Sequence, residues 1–291
     1  MTFIQSITAL PMAMQFFIIG VFGLLVGSFL NVMILRLPKK VKWEWTDQSN
    51  EWLKIAPKDD SQCPPGVTHK ASHCPNCKTK IKPWHNIPLL GYLLLKGKCP
   101  SCKQRISLRY PLVESITAIL TVIVIWKFSF TIAGILAVIL TWTLIVQSGI
   151  DFDNKLLLDE ITLPILWLGL LSSLLPVFAT PTDALIGAAF GYLSLWLVFH
   201  LFRLTTGKEG MGYGDFKLLA LLGAWLGWQY LPQIILISTL LGSIVGITLL
   251  LTKQLKEDKM IPFGPYIALA GYIALIWGEQ INNKYLSFVS I

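Results

Sequence analysis

The stretch Gly210-Met211-Gly212-Tyr213-Gly214-Asp215-Phe216-Lys217 lies between two long apolar runs, Leu185–Leu204 and Leu218–Leu231. Its glycines allow positive φ angles and close approach by other groups. The carboxylate of Asp215 comes where the second run begins, and a carboxylate near membrane depth is costly enough to indicate a functional site. We therefore predict that Asp215 is catalytic. The residues expected to support it are Gly212, Gly214 and Lys217.

The composition is typical of a polytopic membrane protein. Of the 291 residues, 54% are hydrophobic and only 14% are charged, whereas soluble domains carry about 25% charged residues. The net charge of +8 would suggest nucleic-acid binding in a soluble protein. Here it is better explained by lysines held on one side of a membrane, so we predict no nucleic-acid partner. The first apolar run lacks the features of a cleavable signal peptide and is expected to be a retained helix.

Eight apolar segments predict an all-α fold with about eight transmembrane helices, because about 20 residues cross a hydrocarbon core. These segments lie near Met12–Leu35, Leu112–Trp126, Thr131–Ile150, Ile161–Phe178, Leu185–Leu204, Leu218–Leu231, Ile234–Leu251 and Pro262–Ile276. Pro38 is expected to stop the first helix, and residues 41–70 to be polar and irregular. Gly27 and Ser28 are small enough for close helix packing.

The basic residues predict the orientation of these helices. If the N-terminus is outside and the helices alternate, all but Lys127 and Lys284 of the 24 Lys and Arg residues fall inside. Such an excess is the usual cytoplasmic bias of membrane proteins. The prediction is therefore that both termini lie outside, and that Asp151 and Asp215 share the cytoplasmic face.

A second carboxylate, Asp151, also ends an apolar run and stands next to a turn. Two carboxylates that can share one proton are the parts of an aspartic protease. We predict that Asp151 and Asp215 form this catalytic pair. For the neighbouring acids Asp153, Asp159 and Glu160, a solvated acidic loop is the favoured interpretation.

Two C-x₂-C pairs, Cys74/Cys77 and Cys99/Cys102, are separated by 21 residues. Such spacing is typical of a zinc site closed by four thiolates. Two disulfides are the alternative, which a cytosolic location disfavours because thiols stay reduced there. Cys63, His69 and His73 are alternative ligands, although a free thiol and loop histidines are the simpler interpretation.

Between the two cysteine pairs, Ile87–Leu95 is apolar but too short to span a membrane. It could lie in the membrane interface, with Trp84 and Tyr92 at headgroup level. It could equally pack beneath the zinc-binding segment.

Taken together, these motifs resemble those of the type IV prepilin peptidases, the bifunctional leader peptidases and N-methyltransferases of type IV pilus and type II secretion systems. The residues that carry the resemblance are Gly27–Val32 with Arg36-Leu37-Pro38, Ser72–Cys77, Asn86–Leu89, Gly97–Cys99, Arg109–Glu114, Ile150-Asp151 and Gly212–Lys217. The last two match the catalytic motifs of the GxGD aspartic proteases. One departure is Leu158, where the family usually has a proline, and we expect it to loosen the loop after Asp151.

The resemblance implies that the chain cleaves the basic leader of prepilins and pseudopilins after Gly, before a residue that is usually Phe. It also implies methylation of the new N-terminus from S-adenosylmethionine, and a multi-pass location in the bacterial inner membrane with periplasmic termini. The chain shows no Gly-rich loop in a strand–helix setting for that cofactor. Because the cofactor is polar and cytosolic, we expect its site in residues 71–110, with Trp84 to Gly97 as the candidate region.

The division expected from sequence is a first transmembrane helix in 1–36, a cytoplasmic zinc-binding domain in 37–110 and a seven-helix membrane peptidase domain in 111–291. Three other functions stay open at this point. The chain could be an intramembrane aspartic protease of another substrate class that does not methylate. It could be a non-enzymatic zinc-containing membrane scaffold. An ion transporter is the third, but it would need carboxylates deeper within its helices.

Overall fold

The computed structural model describes residues 10–55, 63–68, 73–175, 177–252 and 261–289. Throughout these ranges the chain is helical, apart from loops and two isolated β-bridges, so the all-α prediction is confirmed for them. The chain divides into two compact units, residues 1–130 and 131–291. The three-part division expected from sequence stays a prediction.

The first unit is built on two long helices, α1 (Met12–Trp52) and α3 (Arg109–Phe128). Between them come a 3₁₀ turn, Pro83–Asn86, and the short helix α2 (Leu90–Leu94). The two long helices pack against each other. Small residues make this possible, because a methyl group at Gly27 would lie 2.7 Å from the Cα atom of Glu114. The prediction that Gly27 serves close packing is therefore confirmed.

The prediction that Pro38 stops the first helix is wrong. Helix α1 runs through Pro38 to Trp52, so the expected irregular chain is also wrong for residues 41–52. A proline inside a helix removes one backbone hydrogen bond, and here the buried ring of Pro38 is tolerated. At 1.5 Å per residue the helix is about 60 Å long, about twice a hydrocarbon core. Its polar end carries an i,i+4 ion pair between Lys40 and Glu44 at 3.3 Å.

The second unit contains six helices within the described residues. They are α4 (Ile132–Asn154), α5 (Asp159–Ser172), α6 (Pro181–Thr206), α7 (Tyr213–Leu226), α8 (Leu231–Leu251) and α9 (Gly264–Val289). Helix α7 is the central element, because it packs against α5, α6 and α9. From Asp215 to its end, every residue of α7 except Lys217 is buried.

The packing of α7 against α6 depends on a pair of small residues. A methyl group at Gly187 of α6 would lie 2.2 Å from the carbonyl oxygen of Gly223 of α7, so the two backbones are in direct contact. On another side, the indole of Trp225 donates a hydrogen bond of 2.8 Å to the Ile165 carbonyl of α5. These contacts fix the position of the first turn of α7, where Asp215 lies.

A helix forms at each of the eight apolar segments. Five of the described helices are long and apolar enough to cross a membrane. They are Met12–Trp52, Arg109–Phe128, Ile132–Asn154, Pro181–Thr206 and the segment Trp228–Leu251. Helices α5 and α7 have 14 residues each, about 21 Å at 1.5 Å per residue. A topology of eight spans with both termini outside therefore stays a prediction.

Candidate active site and metal centre

Asp151 lies in the last turn of α4 and is only 5% exposed. Its Oδ2 atom accepts a hydrogen bond of 3.0 Å from the backbone N–H of Gly264, the first residue of α9. The C-terminus of its own helix carries a partial negative charge, which disfavours a carboxylate. The N-terminus of α9 supplies the opposite partial charge, so a neighbouring helix compensates for the position.

Asp215 lies in the first turn of α7 and is 7% exposed. Its Oδ2 atom accepts a hydrogen bond of 3.3 Å from the backbone N–H of Gly212, which precedes the helix. A carboxylate in this position also stabilises a helix N-terminus without any catalytic role. Capping alone does not require a second carboxylate, but Asp215 lies within electrostatic range of the buried Asp151.

The side chain of Leu157 joins the elements that carry the two aspartates. A methyl group at Gly214 would lie 2.7 Å from Leu157 Cβ, and one at Gly264 would lie 3.2 Å from Leu157 Cδ2. The glycines of α7 and α9 therefore leave room for this one leucine. The expected positive φ angles are not found, because Gly212 has φ −82° and Gly214 is within a helix. Close approach, and not backbone handedness, requires the glycine at 214.

Gln147 holds the loop after Asp151, and it is a residue that the sequence analysis missed. It is fully buried, one helical turn before Asp151. Its Nε2 donates to the Leu158 carbonyl at 3.0 Å, and its Oε1 accepts from the Leu158 N–H at 3.3 Å. The expectation that Leu158 loosens this loop is therefore not borne out. The available signal was a lone amide four residues before Asp151, on the same helix face.

Lys217 forms an ion pair with Asp159, for which the sequence favours a solvated position. Its Nζ atom lies 2.6 Å from Oδ2 of Asp159, the first residue of α5. The ion pair is partly exposed, with side-chain exposures of 30% and 44%, so it contributes at most about 1 kcal/mol. It links the N-terminal turns of α5 and α7. The role of Lys217 in catalysis stays a prediction.

The four predicted cysteines of the first unit come together. The Sγ atoms of Cys74, Cys77, Cys99 and Cys102 all lie within 4.8 Å of one another. The separations are 3.7 Å for Cys74–Cys102 and 3.9 Å for Cys77–Cys99. Four thiolates bound to zinc at about 2.3 Å in a tetrahedron would be about 3.8 Å apart. All are free thiols here, so the residues fit a metal ion.

The two cysteine pairs have the same backbone structure. Cys74 N donates to Thr79 O at 3.0 Å, and Cys99 N donates to Gln104 O at 2.8 Å. In each loop the residue after the second cysteine, Lys78 or Lys103, has a positive φ near 60°. Each loop thus presents two sulfur atoms to one point. Of the alternative ligands, neither Cys63 nor His73 joins the cluster, and His69 lies outside the described residues.

Hydrogen bonds in these loops favour the metal-binding thiolate form of Cys77 and Cys99, whereas the pKa of Cys102 is raised, because a backbone hydrogen bond with Gln104 is outweighed by burial and by the neighbouring cysteines. A side-chain hydrogen bond with Thr79 is the largest effect that lowers the pKa of the Cys77 thiol, to about 6. The backbone N–H groups of Cys102 and Ser101 lower the pKa of Cys99. A lowered pKa keeps the sulfur deprotonated near neutral pH, as metal binding requires.

The segment Trp84–Gly97 is held by a buried carboxylate of α3. Leu89 has φ 58°, an unusual value for a leucine, and its N–H donates to Oε2 of Glu114 at 2.9 Å. Trp84, Leu93 and Leu94 are 56%, 67% and 72% exposed, whereas Tyr92 lines an internal cavity. The headgroup position expected for Trp84 and Tyr92, and its alternative beneath the cysteine loops, stay predictions.

Comparisons with known proteins show which families the chain resembles. The family described as the bacterial peptidase A24 N-terminal domain matches residues 21–128, and the type IV leader peptidase family matches residues 138–247. A prepilin leader peptidase/N-methyltransferase of Pseudomonas aeruginosa is 53% identical over 91% of both chains. The protein of the same name from Legionella pneumophila is 42% identical over 94% of this chain and 95% of its own. No solved structure matches the chain.

Proposed function

Because the chain belongs to the type IV leader peptidase family, we propose that it cleaves the basic leader of prepilins and pseudopilins and methylates the new N-terminus. Relatives over 40% identical along more than nine-tenths of the chain carry both activities in their name. This likeness disfavours a non-enzymatic scaffold. The observation that supports the peptidase function is a pair of buried, interacting carboxylates, Asp151 at the C-terminal end of α4 and Asp215 at the N-terminal end of α7.

The hydrolysis needs one ionised and one protonated carboxylate. Two such groups in one buried site share a proton, because both cannot ionise cheaply. The ionised aspartate takes a proton from a water molecule, whose oxygen attacks the carbonyl carbon between Gly and Phe. The protonated aspartate donates a hydrogen bond to the carbonyl oxygen. As the C–N bond breaks, the amine nitrogen receives a proton, and a carboxylic acid and an amine are released.

The placement of the site in the membrane follows from charge. Asp151 and Asp215 lie at the ends of α4 and α7 that the distribution of basic residues assigns to the cytoplasm. A prepilin would enter with its hydrophobic helix in the bilayer and its basic leader on the cytoplasmic side. We propose eight spans with periplasmic termini in the inner membrane, so that the scissile bond reaches the aspartates at the boundary.

The four cysteines would hold one Zn²⁺ ion in a structural role. With four thiolates the coordination is closed, so no position is left for a water molecule or a substrate. The ion would fix the two loops that flank Trp84–Gly97, and so shape a segment with little core of its own. S-adenosylmethionine would supply an electrophilic methyl group to the unprotonated amine. The sulfonium becomes a neutral thioether, and the methylated amine releases one proton.

The experiment that tests this function uses the purified protein in detergent and a prepilin-like peptide with a basic leader. The processed N-terminus is analysed by mass spectrometry, with and without S-adenosylmethionine. The expected result is cleavage in both samples and a methylated Phe only with the cofactor. Asp215→Ala should give neither product. Cleavage at another bond, or cleavage without methylation, would favour an aspartic protease of another substrate class.

A further inference from the structure

The first unit contains a cavity of about 570 Å³. Its walls come from α1, from the start of α3, and from the loops that carry the cysteine cluster. Cavities of about 300–1,000 Å³ are typical of sites for small molecules. No residue to which the cleavage chemistry assigns a role lines this cavity.

A buried asparagine in the cavity wall has one amide atom without a hydrogen-bond partner in the described part of the chain. Asn31 of α1 is 1% exposed, and its Nδ2 donates to the Tyr110 carbonyl at 3.1 Å. Its Oδ1 atom has no hydrogen-bond partner among the described residues. An unsatisfied buried acceptor costs about 1–3 kcal/mol, and such a group in a cavity wall indicates a ligand that donates to it.

A carboxylate lines the same cavity. Glu114 of α3 is 7% exposed. It accepts a hydrogen bond from the Leu89 N–H at 2.9 Å and another from the Ser28 side chain. An ionised carboxylate has about four lone-pair positions, so two donors leave acceptor capacity for a ligand. A carboxylate this deeply buried also favours a cation beside it.

The remaining walls complement a zwitterionic molecule with an aromatic base. Arg36 and Lys39 of α1 supply positive charge, and Tyr92 supplies an aromatic surface. S-adenosylmethionine combines a carboxylate, an ammonium group, a sulfonium and an adenine ring. The unpaired amide oxygen, the carboxylate and the two cations offer a partner of opposite character to each of its polar groups, so the residues present fit this molecule.

We propose that this cavity is the methyl-donor site, and that Asn31 and Glu114 accept hydrogen bonds from the donor. The proposal rests on the methyl-transfer activity proposed above and adds residues outside the candidate region of Trp84 to Gly97. That region forms one wall, whereas the two buried polar groups come from α1 and α3. Trp84, Leu93 and Leu94 of that region are exposed and do not line the cavity, whereas Tyr92 does.

The test measures binding of S-adenosylmethionine to the full chain in detergent by isothermal titration calorimetry. The variants are Asn31→Leu, which removes the unpaired oxygen, and Glu114→Gln, which keeps an acceptor for Leu89 but removes the charge. Each variant should weaken binding about tenfold or more, because the loss of a hydrogen bond to a charged or buried group costs about 1.5–3 kcal/mol. Glu51→Gln changes an exposed carboxylate of α1 and should bind like the wild type.

Zinc content and prepilin cleavage report whether each variant is folded. Folded variants that both keep wild-type affinity would overturn the proposed site. If wild-type protein neither binds the cofactor nor methylates the peptide, the methyl-transfer function itself fails, and the site with it. If a variant loses zinc, ultraviolet crosslinking of labelled cofactor to the wild type decides. Label in residues 28–39 or 73–114 supports the cavity, and label confined to residues 131–291 contradicts it.

Discussion

The two units hold their polar groups in different ways. In the second unit, helix ends alone position the carboxylates, since Asp151 and Asp215 each accept a backbone N–H that precedes or begins a helix. In the first unit, the cavity is bounded by α1, by the start of α3 and by the loops that carry the four clustered thiols. We therefore expect the carboxylate pair to depend on helix packing, and the cavity to depend also on the proposed zinc ion.

Because of this difference, we expect that substitutions can abolish one of the two activities without abolishing the other. Hydrolysis needs no bound cofactor, so rigid helix ends are sufficient. Methyl transfer needs a cavity that admits a polar cytosolic molecule, and loops can build such a cavity. Changes at helix contacts should affect cleavage first, and changes at loop positions should affect methylation first.

The largest effect is expected for the carboxylate pair. Asp151→Asn and Asp215→Asn should each lower the rate of leader cleavage by about 100- to 10,000-fold, because one carboxylate cannot supply both protonation states. Membrane insertion and cofactor binding should be unchanged. Asp153→Asn, an exposed residue of the same helix end, is the matched control in a peptide-cleavage assay. A pair variant that cleaves like Asp153→Asn would remove that residue from the pair.

The next effect concerns the metal. We expect about one zinc ion per chain in the wild type and none in a variant with Cys74, Cys77, Cys99 and Cys102 changed to Ser. Structural zinc contributes about 10–16 kcal/mol to the folding of small zinc-binding peptides, so methylation should be lost while much of the cleavage remains. Elemental analysis measures the metal. An unchanged zinc content would assign the site to other ligands, and equal loss of both activities would contradict the separation of the two regions.

A smaller effect is expected from two glycines with the same backbone conformation. Gly97 has φ +65° and Gly207 has φ +69°, so alanine strains either by about 1 kcal/mol. A methyl group at 97 would also lie 2.6 Å from the hydroxyl of Tyr92, whereas position 207 has no atom within 4 Å. Gly97→Ala should displace Tyr92 in the cavity and impair methylation more than cleavage.

Gly207→Ala controls for the backbone strain in this experiment and should leave methylation near wild type. Rates of both activities on one peptide provide the measurement. Equal methylation rates of Gly97→Ala and Gly207→Ala would mean that the contact with Tyr92 does not affect methylation. Such a result would contradict a role of the Trp84–Gly97 segment in the methyl-donor cavity.

The smallest effect is expected from alanine substitutions of the two GxGD glycines, Gly212 and Gly214. A methyl group at Gly214 would lie 2.7 Å from Leu157 Cβ, but one at Gly212 would meet only Asp215 Oδ2, at 3.6 Å. Gly214→Ala should lower stability by about 1–3 kcal/mol through overpacking, reduced by about 1 kcal/mol because alanine favours the helix.

Gly212→Ala should change stability by no more than about 0.5 kcal/mol. Thermal unfolding in detergent compares the two variants, and cleavage rates are measured beside it. If Gly212→Ala is stable yet inactive, the substrate needs the space between Gly212 and the carboxylate of Asp215. Equal stability of the two variants would mean that the contact of Gly214 with Leu157 does not determine the position of α7.

Much of this arrangement could be predicted because it depends on local patterns. Apolar segments of membrane length predict helices, and the two C-x₂-C pairs predict a cluster of four thiols. The two aspartates are predicted as a pair because each stands where an apolar run meets a turn, and the structure shows both to be buried. Burial near a membrane makes such a carboxylate costly, so its occurrence in the sequence carries information.

The features that were missed depend on tertiary contacts. Pro38 is tolerated because the packing of α1 offsets the free energy of the lost backbone hydrogen bond. Gln147 forms its hydrogen bonds with a loop that begins eight residues later, and nothing in the sequence indicates that this loop folds back. The glycines of the GxGD motif suggested positive φ angles, but the contact that requires Gly214 involves Leu157, 57 residues earlier.

The most direct test of the central claim supplies a peptide that is already cleaved, beginning with Phe, together with S-adenosylmethionine. Asp215→Asn and Glu114→Gln are each compared with wild type, and mass spectrometry reports methylation of the N-terminal amine. The account predicts that Asp215→Asn methylates this peptide at the wild-type rate although it cannot cleave a prepilin. Glu114→Gln should show the reverse, cleaving but methylating poorly. Failure of Asp215→Asn to methylate the cleaved peptide while zinc content and cofactor binding are intact would contradict the claim that the two activities belong to separate regions.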